Sequence, residues 1–132
     1  MKIKDIITKA NELSTIMEKK LPIGVAFCIS RNTKKLAEVL DDFEKKRIDI
    51  IKKYAEKDEN GEVVVSQEGN AKVTDIQSAN AELTELMDVD VSLSFDTFSL
   101  ADLERCNNAE CDLLTPAEIG YIDFMIGEEK ND

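Results

Sequence analysis

The sequence contains no histidine and no tryptophan among its 132 residues. Histidine is the commonest general base and transition-metal ligand in proteins, so its absence lowers the expectation of hydrolytic or zinc-dependent chemistry. No glycine-rich phosphate loop, nucleophile elbow or dinucleotide-binding turn is found either. We therefore expect a protein that is not an enzyme and that has no catalytic residues, metal site or cofactor.

Long apolar runs and cysteines are also scarce. The longest apolar run, from Ile23 to Ile29, has seven residues, whereas a membrane-spanning helix needs about 18 or more. No secretory-type apolar segment opens the sequence, and three cysteines cannot all pair with one another. These features predict a cytoplasmic protein that does not enter a membrane.

Two of the cysteines, Cys106 and Cys111, form a C-x4-C pair in the segment RCNNAEC. This spacing differs from the C-x2-C knuckle of structural zinc sites, and no other close cysteine or histidine completes a tetrahedral set. The pattern favours ordinary thiols in a loop, while a disulfide and a redox role stay open.

Glycine and proline, the strongest helix breakers, are absent between Val25 and Asn60. Pro22 suits the first turn of a helix, because its missing N–H costs no hydrogen bond there. We predict one long helix over Leu21–Glu56, which at 1.5 Å per residue would be about 50 Å long. That length exceeds the diameter of a compact domain of this size, so we expect the helix to protrude or to be covered by a partner.

A first helix is predicted over residues 2–20, where apolar side chains recur every three or four positions. The stripe consists of Ile3, Ile6, Ile7, Ala10, Leu13, Ile16 and Met17. The short connection to the long helix makes an antiparallel helical hairpin the economical arrangement.

Three later segments carry patterns typical of β-strands. Glu62–Ser66 contains three consecutive valines, and Ala71–Thr74 gives a second β-like run after a polar turn. From Val89 to Asp96 apolar and polar residues alternate strictly, as in a strand with one face on the core. We predict a hairpin that the third strand completes as a small antiparallel sheet.

Helix-start signals divide the remaining sequence. Asp75 is the candidate N-cap of a third helix. The segments SLAD, at residues 99–102, and TPAE, at residues 115–118, predict two short helices over Leu100–Arg105 and Pro116–Ile126. Gly127 is expected to end the last helix, and residues 128–132 are expected to form a flexible tail.

These elements together predict a single α+β domain over residues 1–132. Residues 1–57 form the helical hairpin with one long helix. Residues 58–127 form a small antiparallel β-sheet of about three strands, a further helix and the short C-terminal helices that close the core.

The apolar pattern changes along the long helix. Ile23–Ile29 is apolar nearly all round, so we expect the first and last helices to bury it on several sides. Further along, a heptad-like seam remains, and we expect it to bind a partner. The seam consists of Leu36, Leu40, Phe43, Arg47, Ile50 and Tyr54. The alternative is that this short seam, which Arg47 interrupts, lies on the protein's own sheet.

The formal net charge of −11 is divided unevenly along the chain. Residues 1–57 contain 14 Lys+Arg and 9 Asp+Glu, whereas residues 58–132 contain 3 and 19. The opposite charges predict that the acidic half folds onto the helical half. The functional alternative is an acidic face for a basic partner, or a basic helix for a phosphate-bearing one.

Arg31, Lys34 and Lys35 on the long helix are the candidate anion-binding residues. Acidic residues are interleaved with the basic ones along this helix, which is typical of a salt-bridged surface. Nucleic-acid binding is therefore not expected, because it requires a locally uncompensated basic surface.

Two pairs of acids are candidates for acid–base chemistry: Asp41 with Asp42, and Asp88 with Asp90. Such chemistry needs two carboxyl groups in unlike environments, usually in a cleft. Nothing in the sequence places either pair in a cleft, and a chain with 28 acids contains such pairs by composition alone.

The order of several segments resembles an uncharacterised family of short proteins that are encoded in phages and prophages of Gram-positive bacteria. The segments are KLPI, RNTKKL, KKYAEKDENGE, NAELTEL and the closing LTPAEIGYIDFMI. The likeness covers nearly the whole chain, and its motifs concern the fold, so it carries no catalytic residues across. It implies a small intracellular phage or mobile-element protein without an assigned reaction.

The functional expectation is a phage accessory protein that acts through protein–protein contacts. Its partner is a second copy of the chain, in a homo-oligomer along the long helix, or a host or phage protein. The alternative is an anti-defence inhibitor that sequesters a host protein or an anionic nucleotide signal.

Overall fold

The long helix that the scarcity of glycine and proline predicts is present. The computed structural model of the chain describes residues 1–104 and 111–127. In it, α1 spans Ile3–Ser14 and α2 spans Ile23–Tyr54, a length of 32 residues. Pro22 directly precedes α2, and the helix is about 48 Å long at 1.5 Å per residue.

The predicted helical hairpin is confirmed. Ile3, at the start of α1, lines a small cavity together with Phe43 of α2. Ile16, just beyond the end of α1, lines another cavity with Ile29, near the start of α2. The two helices therefore run antiparallel, and the side chains of α1 cover one side of α2.

The prediction that Ile23–Ile29 is buried on several sides is wrong. Val25, Cys28 and Ile29 are buried, but Ile23 and Phe27 are 88% and 63% exposed. The packed core that includes α1 covers only one side of α2, so every residue that points the other way stays in solvent. The apolar run thus serves two surfaces rather than one core.

The third helix, α3, spans Ile76–Met87 as predicted. The side chain of Asp75 caps it by accepting a hydrogen bond from the Ser78 N–H at 3.0 Å. Such a cap satisfies one of the otherwise unpaired N–H groups of the first turn. The chain then continues in an extended form along α2.

The predicted three-stranded antiparallel sheet is wrong. The described residues contain one two-stranded sheet, in which β1 (Phe98–Ser99) and β2 (Ile126–Gly127) pair in parallel. Parallel pairing requires a crossover connection. This connection contains α4 (Leu100–Glu104), α5 (Pro116–Ile122) and a 3-10 turn.

The valine-rich segment forms isolated bridges instead of a hairpin ladder. The Glu56 N–H donates to the Lys72 carbonyl at 2.7 Å, the Val64 N–H donates to the Glu56 carbonyl at 2.7 Å, and the Lys72 N–H donates to the Val64 carbonyl at 2.9 Å. Three short segments, one around each of these residues, are therefore each hydrogen-bonded to the other two beyond the end of α2. We call residues 55–74 the distal arm.

The sequence predicts the third strand over the alternating segment Val89–Asp96. Val91, Leu93 and Phe95 pack against the core and Ser92 and Ser94 are exposed, as predicted, but Val89 is 46% exposed. The 12 residues of α3, however, lie between this segment and the distal arm. It bonds instead with the N-terminus, where the Val91 N–H donates to the Met1 carbonyl at 2.9 Å.

The capping signals of the C-terminal helices are confirmed. Thr115 accepts from the Glu118 N–H at 3.2 Å and donates its own N–H to the Glu118 carboxylate at 3.0 Å. The helix ends earlier than predicted, at Ile122 instead of Ile126. Gly127 lies in β2, where a Cβ atom would come within 3.0 Å of the Thr97 hydroxyl.

Opposite charges join the two halves of the chain, as predicted. Among the described residues, seven of the eight ion pairs connect a cation of residues 1–57 to an acid of residues 58–132. No helix within residues 1–104 and 111–127 has the length and apolar character needed to cross a membrane. Arg105, Cys106 and the predicted tail lie outside the described residues.

Candidate interaction surfaces on the long helix

α2 has an inner side, which carries the core, and an outer side, which faces solvent. Buried residues recur along the inner side at Val25, Cys28, Ile29, Asn32 and Leu36. The opposite side carries exposed residues, among them the charged residues Glu38, Lys45 and Lys52. We call six other exposed residues of this side the outer stripe: Ile23, Phe27, Lys34, Ala37, Asp41 and Ile48.

The seam that we predict as a partner-binding surface lies on the inner side. Leu36 is fully buried in the core, and Leu40 packs against the core. Phe43 is half-buried and lines a small cavity with residues of α1, α3 and the extended segment. A side chain inside the core cannot contact a partner in this conformation, so Leu36 contributes to folding rather than to a docking surface.

The distal part of the seam is held by polar contacts. The Tyr54 hydroxyl donates to the Glu82 carboxylate of α3 at 2.6 Å, and the Lys53 ammonium donates to the same oxygen at 2.7 Å. These donors lower the pKa of Glu82 below its ordinary value, because they stabilise the charged form. Arg47 forms an ion pair with Glu44 one turn earlier, and Ile50 is half-buried.

Two of the three candidate anion-binding residues already have an anionic partner. The Arg31 guanidinium lies 2.8 Å from the Asp96 carboxylate, and the Lys35 ammonium lies 3.3 Å from the other oxygen of that group. Lys34 is exposed and has no partner within residues 1–104 and 111–127. An anion at this place would have to compete with Asp96 for both of its cations.

Asn32 fixes this end of the extended segment to α2. It is fully buried, and its amide group makes two hydrogen bonds with the backbone of Asp96. The amide nitrogen donates to the Asp96 carbonyl at 2.9 Å, and the amide oxygen accepts from the Asp96 N–H at 2.8 Å. A buried amide that is satisfied in this way both stabilises and specifies the packing.

Cys28 joins the same group of side chains. Its thiol donates to the Asp96 carbonyl at 3.1 Å. Burial, followed by the nearby Asp96 carboxylate, raises the pKa of the Cys28 thiol. Since the thiolate is the reactive form, this cysteine is a poor nucleophile and metal ligand.

An open cavity of about 460 Å³ lies beside this group. It is lined by Gly24, Phe27, Cys28, Arg31, Phe95, Asp96 and Thr97. The Phe27 ring forms one wall, and the Arg31 guanidinium lies 5.7 Å from the centre of that ring. The cavity is thus bordered by an exposed aromatic side chain that belongs to the outer stripe.

A second cavity, of about 520 Å³, lies between α2 and the distal arm. We call it the distal groove. Most of its lining is apolar and comes from Ile48, Ile51, Val63, Val65, Ala71 and Val73. Arg47 and Lys52 add positive charge, and Val65 is 56% exposed. The apolar side chains at this end of α2 are therefore arranged around a groove rather than in a closed core.

Neither candidate pair of carboxylates lies together in one of the described cavities, although Asp42 alone lines the small cavity beside Phe43. Asp41 and Asp42 are exposed on α2, and Asp88 and Asp90 are exposed, with Asp88 3.2 Å from the Lys4 ammonium. Each of the four cavities described in residues 1–104 and 111–127 has at most one acid in its lining. Within the same residues, no three acids or cysteines cluster closely enough to hold a metal ion.

Sequence reasoning missed Asn32, Asp96 and the exposure of Ile23 and Phe27. Asn32 could have been found, because it occupies an inner position of the three-and-four spacing, where a polar side chain needs a buried partner. The exposure of Ile23 and Phe27 had no comparable signal, since both stand inside the most apolar run of the chain.

Comparison of the chain with protein-family models, with curated proteins and with solved structures finds no match. The resemblance to phage and prophage proteins therefore stays a prediction.

Proposed function

We propose that the protein is a non-enzymatic phage or prophage accessory protein that acts through protein–protein contacts and forms a homo-oligomer along α2. The observation that carries the proposal is the exposure of two large apolar side chains, Ile23 and Phe27, on the outer stripe. They are four residues apart and thus adjacent on the same helix face. Adjacent exposed apolar groups are typical of interaction sites, whereas isolated ones are ordinary.

Rough energetics support a reversible complex. Burying one such side chain contributes about 1.5–3 kcal/mol. A symmetric dimer that buries both residues of both copies would gain about 6–12 kcal/mol from them, and association costs about 4–15 kcal/mol. The two terms are of similar size, so a concentration-dependent oligomer is expected rather than a permanent one.

The absence of enzymatic activity is part of the proposal. It is supported by the exposed positions of the paired acids and by the raised pKa of the buried Cys28 thiol. The sequestration of an anionic nucleotide has less support, because Asp96 already occupies Arg31 and Lys35. Calorimetric titration with cyclic oligonucleotides distinguishes the proposed protein–protein function from nucleotide sequestration. Measurable heat of binding would favour sequestration.

The test is the mass of the protein in solution, measured by sedimentation velocity over about a hundredfold range of concentration. We expect the mean mass to rise above 14.8 kDa with concentration. Ile23→Ser should weaken this association, because it removes an exposed apolar side chain from the outer stripe.

The matched control is Ile76→Ser, which makes the same substitution at a residue that is 61% exposed and lies on α3. It should leave the association unchanged. A protein that sediments at 14.8 kDa throughout the range would contradict the proposed homo-oligomer.

A further inference from the structure

The outer stripe of α2 has an apolar group at each end and charges in the middle. Ile23 and Phe27 lie at its N-terminal end, and Ile48, which is 39% exposed, lies at its C-terminal end beside the distal groove. Lys34 and Asp41 lie between them, on either side of Ala37. The stripe therefore combines one exposed apolar pair, one apolar groove and two opposite charges, and the exposed side chains of Glu38, Lys45 and Lys52 lie on the same side of the helix.

The side chains of the two central charges have no partner in the part of the chain that the structure describes. Neither the Lys34 ammonium nor the Asp41 carboxylate takes part in a hydrogen bond or an ion pair among residues 1–104 and 111–127. They are seven residues apart, which is about 10 Å along the helix. Side chains pair within a helix at three or four residues, so these two charges cannot neutralise each other in one copy.

The positions of these residues are symmetric about one point. The midpoint between Phe27 and Ile48 falls between Ala37 and Glu38, and the midpoint between Lys34 and Asp41 falls at the same place. A two-fold axis through this point, perpendicular to α2, brings Lys34 of one copy to Asp41 of the other. It also brings the apolar N-terminal end of each stripe to the C-terminal end of the other.

The distal groove is at the correct end to receive the apolar pair. It flanks Ile48 and is lined mostly by apolar side chains. In an antiparallel pair, Ile23 and Phe27 of each copy reach the groove of the other, so the contact is made twice. The small side chain of Ala37 at the centre allows the two helices to approach closely.

A parallel pair lacks this complementarity. It would place Lys34 opposite Lys34 and Asp41 opposite Asp41, and like charges at an interface disfavour association. It would also leave both distal grooves without the apolar pair.

We propose that the partner of the outer stripe is a second copy of this chain in antiparallel orientation, with Lys34 of each copy paired with Asp41 of the other and with Ile23 and Phe27 at the distal groove. The inference rests on the proposed function and adds the face, the orientation and the register of the contact. It assigns the interface to the outer stripe instead of the inner seam.

Charge reversal tests this register. Lys34→Glu and Asp41→Lys should each raise the Kd of self-association about tenfold, because each variant places two like-charged pairs in the interface. The double variant restores opposite charges and should return the Kd to within about threefold of the unmodified protein. Glu85→Lys, an exposed reversal on α3, is the control and should have no effect.

The possible results separate the two proposals. If the unmodified protein self-associates but neither single reversal changes the Kd, the antiparallel register is overturned and the proposed function stands. A parallel pair would give that result, since a single reversal leaves like charges opposite one another. If the unmodified protein does not self-associate, the proposed homo-oligomer fails as well.

Discussion

Near the N-terminal end of α2, the inner and outer sides carry similar apolar residues, but these residues are buried on the inner side and exposed on the outer side. Val25 and Ile29 on the inner side are buried, whereas Ile23 and Phe27 on the outer side are largely exposed. All four lie within one run of seven residues. The comparison teaches that an apolar run on a helix can supply a buried surface and an exposed surface at the same time, and our proposal gives the exposed one to a partner.

A similar contrast exists along the inner side. Its N-terminal part is closed by fully buried apolar side chains and by Asn32. Its C-terminal part is half-buried and is held to α3 by the contacts of Glu82 with Lys53 and Tyr54. Stability should therefore concentrate near the N-terminal end of α2, and the distal end should open more easily.

The largest difference between the two sides is expected for truncation to alanine. Leu36→Ala removes a fully buried side chain and should lower the free energy of unfolding by about 2–5 kcal/mol, because a cavity remains in the core. Ile48→Ala on the outer stripe should cost less than about 1 kcal/mol. Urea unfolding at a concentration where the protein is monomeric measures the free energy of unfolding of both variants. Equal losses in the two variants would refute the contrast between a buried inner side and an exposed outer side.

Asn32 tests whether the inner side is specified by a polar contact as well as by apolar burial. Asn32→Ala leaves the Asp96 N–H without its side-chain acceptor and should cost about 1–3 kcal/mol. Asn80→Ala, at an exposed position of α3, is the control and should change stability by no more than about 0.5 kcal/mol. Thermal unfolding of both variants checks this, and a neutral Asn32→Ala would show that the polar contact adds nothing.

The smallest effect is expected for the pH dependence of stability that Glu82 produces at the distal end of the inner side. The pKa of Glu82 is lowered from 4.5 by Lys53 and Tyr54, so its charged form stabilises the fold above that pH. This contribution is lost as the pH falls below 4.5 toward the lower pKa of the folded protein. Glu82→Gln should therefore be less stable than the unmodified protein at pH 7, and the difference should narrow on acidification.

Unfolding curves at several pH values measure this narrowing. Glu85→Gln is a suitable control, because Glu85 is exposed on the same helix. A difference between Glu82→Gln and the unmodified protein that stays constant with pH would mean that the three side chains are not coupled in solution.

Local signals predicted the starts of the helices better than their ends, since the first helix ends at Ser14 and α5 at Ile122, both earlier than predicted. The absence of breakers located α2, and the caps at Asp75 and Thr115 located the starts of α3 and α5, because caps act within one turn. Pairing of strands was not predictable in the same way. The valine-rich segment and the Val89–Asp96 segment both look like strands, but nothing local indicates that the α3 helix keeps them apart.

The partner-binding seam that the sequence predicts and the outer stripe of our proposal lie on opposite sides of the same helix. The sequence indicated that Ile23–Ile29 is apolar nearly all round, and the heptad-like spacing beyond it favoured the seam that begins at Leu36 and Leu40. Which seam is buried depends on where α1 and the C-terminal segments pack, and that is a property of the whole fold. The exposed side of α2 could therefore be identified only from the structure.

The most direct test of the central claim is the distance between two copies of α2, measured by pulsed electron resonance between spin labels. Labels are placed separately at Glu38→Cys, an exposed position beside Ala37, and at Ala26→Cys, in a background where Cys106 and Cys111 are replaced by serine. The remaining thiol, Cys28, is buried and its pKa is raised, so it should label slowly.

An antiparallel pair places the two copies of residue 38 side by side, with about 10 Å between the helix axes. It separates the two copies of residue 26 by about 35 Å along the helix. Short distances at both positions would indicate a parallel pair, and no signal between copies at either position would contradict self-association along α2.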